Sequence, residues 1–186
     1  YEARYMALEE RWWVAYRTGK KGLAQLERVA KDAPDLEDTY LGLGIYHYYA
    51  DVVPAVLKVL GGIVGLGGDR ERRLREIRRA LKGGTLVNVE ARFFLGEIYT
   101  EFEEDQWTAL GFSRSLRDEF PENELFVWLN ARVLDELYLS DLAAAEWRTL
   151  RAKQHSNRIR GFLDYRLARS RLSGGDFEGA AHDLKD

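Results

Sequence analysis

Residues 95–121 read LGEIYTEFEEDQWTALGFSRSLRDEFP, and the spacing within them decides the fold. Leu95-Gly96 is followed three residues later by Tyr99, then by Ala109 in a second helical stretch that Pro121 closes. Gly96 lacks bulk where two helices must approach, and Tyr99 supplies apolar surface to fill the space between neighbouring pairs. Pro121 stops the second helix, because proline has no amide hydrogen and its ring clashes with the preceding turn. The stretch therefore predicts two helices joined by a turn. Neither could bury its apolar face alone, so like pairs must stack on it.

The pattern recurs on both sides. Upstream, Tyr5, Leu8 and Trp12 stand three and four apart, Thr18-Gly19-Lys20-Lys21 reads as a turn, and Pro34 closes a helix. Tyr40, Leu43-Gly44 and His47 open a second unit. Downstream, Ala131, Ala143 and Trp147 repeat the small-then-bulky step, with His155 where a proline would close. Leu167-Ala168, Gly175-Asp176-Phe177, Ala180 and Leu184 make a last unit. This arrangement resembles the tetratricopeptide repeat family, whose helix pairs recur about every 34 residues. The resemblance covers nearly the whole chain. It implies an all-α, right-handed solenoid of about five helix-turn-helix units, at 2–36, 37–88, 89–123, 124–157 and 158–186. Residues 180–186 start a helix without a polar terminal face, and residue 1 is Tyr, so both ends are expected to be cuts through a longer array.

Composition narrows the function classes. The 186 residues are 46% hydrophobic with three prolines, enough for one extended core and consistent with helix throughout. A formal charge of -3 gives no general basic field for nucleic acid. Cysteine is absent, which excludes disulfides and thiolate chemistry. His47, His155 and His182 share no metal-ligand spacing, and no serine sits in a nucleophile elbow. Glycines 61–68 neither follow a strand nor precede Lys-Ser/Thr, so they make no phosphate loop. A non-enzymatic protein with no cofactor and no metal is expected.

The second unit departs from the pattern. Residues 48–68 are inserted, apolar from Val52 to Leu66 apart from Lys58, and interrupted by Pro54 and glycines. That run is too short and broken to span a bilayer, which needs about 20 apolar residues. It reads first as a short packing helix near Pro54 to Leu60. The other readings are a partner or self-association patch and, less favoured, shallow membrane contact. Asp69 to Lys82 follows, with Arg70, Arg72, Arg73, Arg75, Arg78, Arg79 and Lys82 against Asp69, Glu71 and Glu76, so it is +4 and the remainder -7. Leu74, Ile77 and Leu81 form its buried stripe. The arginines are either a solvated face laced with pairs such as Glu71–Arg75 or a docking surface for an acidic partner or anionic lipid. Val56, Leu60, Arg72, Arg75 and Arg79 represent that second surface.

The family resemblance also implies a concave groove lined by the first helix of each pair, holding a peptide or partner segment. By register it places Tyr48 and Tyr49 there from the second unit, and Glu90, Phe93, Glu97 and Glu101 from the third. Trp128, Arg132, Asp135 and Glu136 follow from the fourth, and Phe162, Tyr165 and Arg169 from the last. The Lys and Asn clamp with which some members hold a C-terminal carboxylate is missing, with Glu97 standing where it would need an amide, so a mixed-charge or basic peptide is expected near the third unit. The layout is further similar to bacterial tetratricopeptide proteins that often carry an export signal, which implies the periplasm. The expected function is a protein-interaction scaffold. The alternative is a structural subunit of an envelope assembly, packing through the insertion and the ends.

Overall fold

The computed structural model describes residues 6, 9, 11–52, 70–154 and 156–184. Among them are nine helices and no strand: α1 Trp12–Asp32, α2 Thr39–Val52, α3 Arg70–Gly83, α4 Asn88–Glu101, α5 Gln106–Glu119, α6 Glu124–Glu136, α7 Ser140–Lys153, α8 Asn157–Ser173 and α9 Phe177–Asp183. None is long and apolar enough to cross a membrane among the described residues. The chain separates into two compact units, Tyr1–Ala91 and Arg92–Asp186.

In the first unit α2 and α3 are antiparallel. Residue 37 meets residues 79 and 83, and residue 44 meets 73 and 77. Gly44 is required at that crossing: a Cβ there would stand 2.9 Å from the Ile77 amide nitrogen and 3.1 Å from the Arg73 carbonyl. Ile77 and Ala80 are fully buried on the α3 stripe and Leu74 is nearly so. Asp38 ties the far end of the pair, accepting from the Leu86 and Val87 amides at 2.9 and 3.1 Å and from the Thr85 hydroxyl. Desolvation pushes its carboxyl up, but these bonds together outweigh that and hold it below the ordinary carboxylate value.

One expected turn is absent. Thr18-Gly19-Lys20-Lys21 lies inside α1, which runs unbroken for 21 residues. Glycine in a helix interior costs only about 1 kcal/mol, and the lysines, alanines and leucines around it favour helix. Pro34 does end the helix as expected: α1 stops at Asp32, and the Ala33 amide bonds back to the Val29 carbonyl. The turn chemistry of residues 18–21 was too weak to break it.

The second unit is three antiparallel pairs, α4–α5, α6–α7 and α8–α9. Tyr99 stacks on Phe112 at 6.0 Å between ring centres, and Trp147 is wholly buried. Ala131 and Ala168 are buried at their close approaches. Asp105 and Asp176 cap α5 and α9 by accepting from the Thr108 and Gly179 amides, the usual N-terminal device. A polar chain also crosses the interior: the Ser113 hydroxyl donates to Asn130, Asn130 to Glu146, and Arg117 to both Glu146 oxygens. Buried polar groups that are satisfied in this way fix the register of α5, α6 and α7.

Candidate partner-binding face

In the second unit α4, α6 and α8 run parallel, because contacts between them keep a near-constant offset. Phe93 meets Phe126, Glu97 meets Arg132 and Asp135 meets Arg166. One helical face thus repeats from pair to pair, with residues 93, 128 and 165 at equivalent positions. Phe93 and Trp128 are half-buried, whereas Tyr165 is 54% exposed and Phe162, one turn earlier, 50%. Glu90 is half-buried, and Arg169 and Glu136 are exposed. Leu125 and Ile159 share the face and are about half exposed. They were not among the expected groove residues, although their spacing of three before Trp128 and Phe162 carried the signal.

The charged groups on this face mostly hold one another. The Arg132 guanidinium lies 4.4 Å over the Trp128 ring and donates to Glu97 at 3.2 Å, and it also pairs with Glu101. Burial lowers its pKa from the usual arginine value, with Glu97 opposing that shift and Arg166 adding to it. Glu97 and Glu101 are therefore occupied by a cation of their own chain. One guanidinium balances only one of the two charges, so the expected pull on a mixed-charge or basic peptide at the third unit is weakened. Asp135 is likewise a strut, accepting from Trp147 Nε1 at 2.9 Å, Arg166 Nη2 at 2.8 Å and Ser170 Oγ at 2.5 Å.

In the first unit Tyr48 is 4% exposed, with Arg73 5.9 Å over its ring. A side chain so covered cannot line a groove, and Tyr48 is corrected from lining residue to core. The side chains of Tyr49 and Arg72 lie outside the described residues, as do Val56, Leu60 and all of 53–69. Arg75 pairs with Glu71 at 3.3 Å on the surface. Arg79 donates to Glu37 and to the Pro34 carbonyl at 2.7 Å and lies 3.7 Å over the Tyr40 ring. It pins the α1–α2 loop to α3, so its charge is engaged within the chain. His47 bonds Glu76 at 2.8 Å, half-buried between α2 and α3. No cluster able to hold a metal ion occurs among the described residues.

Repeated helix pairs with parallel first helices define a tetratricopeptide-like α-solenoid. No protein-family model matches the chain, and no curated protein does. Among solved structures it is similar to MamA of AMB-1, at 20% identity over 99% of this chain and 92% of that one, with a TM-score of 0.64. At that identity the likeness is one of fold.

Proposed function

We propose that the chain is a non-enzymatic protein-interaction scaffold, and that the shared face of α4, α6 and α8 takes an extended partner segment. The observation that carries this reading is the aromatic pair Phe162 and Tyr165, each about half exposed at the same face as Trp128 and beside the exposed Arg169. Aromatic rings offer large contact area at low entropic cost and are common interface anchors. Arg169, one turn after Tyr165, and Arg158, one turn before Phe162, are exposed cations beside the rings, and the fitting segment has apolar side chains with a carboxylate.

A photo-crosslinking residue placed at Tyr165 in the protein within its native cells tests this, with one at the buried Leu163 as control. A discrete crosslinked partner is expected at Tyr165 alone. The double change Phe162→Ala and Tyr165→Ala should weaken binding of that partner by about tenfold or more. Stability should stay within about 0.5 kcal/mol, as for other surface substitutions. A partner that still binds the double variant at parental affinity would refute the assignment of this face.

A further inference from the structure

We propose that the turn end of the second unit is a separate docking surface for a Lys/Arg-rich extended protein segment. Since α4, α6 and α8 are parallel, the turns that follow them, at residues 102–105, 137–139 and 174–176, lie at one end of the unit. Tyr138, Leu142 and Gly174 share the lining of a shallow cavity of about 320 Å³ there, which joins the second turn to the third. Large rings stand out from all three turns: Trp107 is 69% exposed, Tyr138 81% and Phe177 70%.

Charge at this end is mainly negative, and its cation, Arg171 in the last turn of α8, is already paired with Asp176 and Asp183. Residues 93–113, 133–147 and 172–184 contain no Lys or Arg, while the turns carry Glu104, Asp141 and Glu178 beside the rings. Elsewhere the chain joins aromatic, carboxylate and arginine into a repeated strut: Arg79 with Tyr40 and Glu37, Arg132 with Trp128 and Glu97, Arg166 with Trp147 and Asp135. The turn end repeats the first two parts in sequence, Glu104 near Trp107, Tyr138 near Asp141 and Phe177 beside Glu178, while Arg171, the cation at the third turn, is held by Asp176 and Asp183. A Lys or Arg from another chain completes the set, bonding a carboxylate and covering a ring face.

Backbone conformation points the same way. The residue before each cap position is left-handed: Glu104 at φ 54°, Tyr138 at φ 56° and Gly175 at φ 84°. Glycine adopts that region freely and other residues do so at a cost. Two of the three turns nevertheless hold a carboxylate or an aromatic at the apex. Strain of this kind at an exposed residue leads from an observed outlier to a role.

The same geometry supplies a clean test, because Glu104→Gly and Tyr138→Gly remove one carboxylate and the most exposed ring of the surface while relieving the backbone. Binding of the intact chain is read by fluorescence anisotropy with a labelled nine-residue peptide alternating Arg and Leu, and with its Glu-for-Arg counterpart. The Arg peptide should bind at least about tenfold more tightly than the Glu peptide, and more weakly as salt rises. The Gly pair should reduce Arg-peptide affinity by about tenfold, the scale of a lost hot spot, with the melting temperature unchanged or raised. Phe162→Ala with Tyr165→Ala should leave Arg-peptide binding intact, which separates this surface from the face proposed above. Equal affinity for the two peptides, or no effect of the Gly pair, would overturn the proposal. So would self-association in sedimentation that the Gly pair abolishes, since it would assign the surface to a second copy of the chain.

Discussion

Asp135 shows how much one side chain can hold. Its two oxygens accept from an indole, a guanidinium and a hydroxyl drawn from α7 and α8, at 2.5 to 2.9 Å, in a site that leaves the side chain 9% exposed. Removing the carboxylate strands three donors, one of them charged. Breaking a buried pair from one side is strongly destabilising, about 3–5 kcal/mol. Asp135→Ala should therefore lower unfolding free energy by about 3 kcal/mol in urea, with red-shifted Trp147 emission before the main transition. A loss under about 1 kcal/mol, the ordinary effect of a point change, would show that the site relaxes or admits water. Repeat register put Asp135 among the groove-lining residues, whereas the structure turns its carboxylate inward onto α7 and α8. Its partners were not legible: Trp147 lies 12 positions away and Ser170 lies 35, and no pattern of types and spacings reports which donor turns inward. The same limit applies to Tyr48, read as the start of the insertion and as a groove residue: α2 continues through it to Val52, and its burial depends on how α3 returns across it.

At the scale of the helix, the sequence was most legible where backbone chemistry is decisive. The prolines after α1 and α5 and the Gly175 turn fell where expected, because each changes local free energy whatever surrounds it. The expected turn at residues 18–21 did not form, since glycine among good helix formers is only a mild breaker. The left-handed turns at Glu104 and Tyr138 gave no sign, as their residue types carry no such preference. Glycines inside helices divide in the same manner. At Gly111, midway along α5 and exposed, a Cβ would meet nothing within 4 Å, whereas at Gly44 it would meet α3 backbone. Gly111→Ala should raise stability by about 0.5–1 kcal/mol by helix propensity alone. Gly44→Ala should lower it by about 1–3 kcal/mol, as overpacking does, because α2 and α3 must part. Thermal unfolding of the two variants checks both signs, and a destabilising Gly111→Ala would mean that α5 is covered on that side.

Over the whole chain, the repeat plan sets where stability resides. In arrays of helix pairs each element contacts only its neighbours, so protection follows local burial and the number of neighbours. Helix α6 buries Phe126, Val127, Leu129, Asn130, Ala131, Val133 and Leu134 and is tied to α4, α5, α7 and α8 by side-chain contacts. Helix α9 spans seven residues and buries Ala180 alone. The first unit has its own fastenings, Gly44 on Ile77 and Asp38 on residues 85–87, and these do not pass through α6. Amide hydrogen exchange should accordingly be slowest in residues 126–134, faster in α2 and α3, and fastest in α9. Asp135→Ala should speed exchange in α6, α7 and α8 while leaving α2 and α3 near their parental rates. Uniform protection from α1 to α9, or equal acceleration everywhere in the variant, would show that the two compact units unfold as one cooperative body, and neighbour-by-neighbour coupling would then fail for this chain.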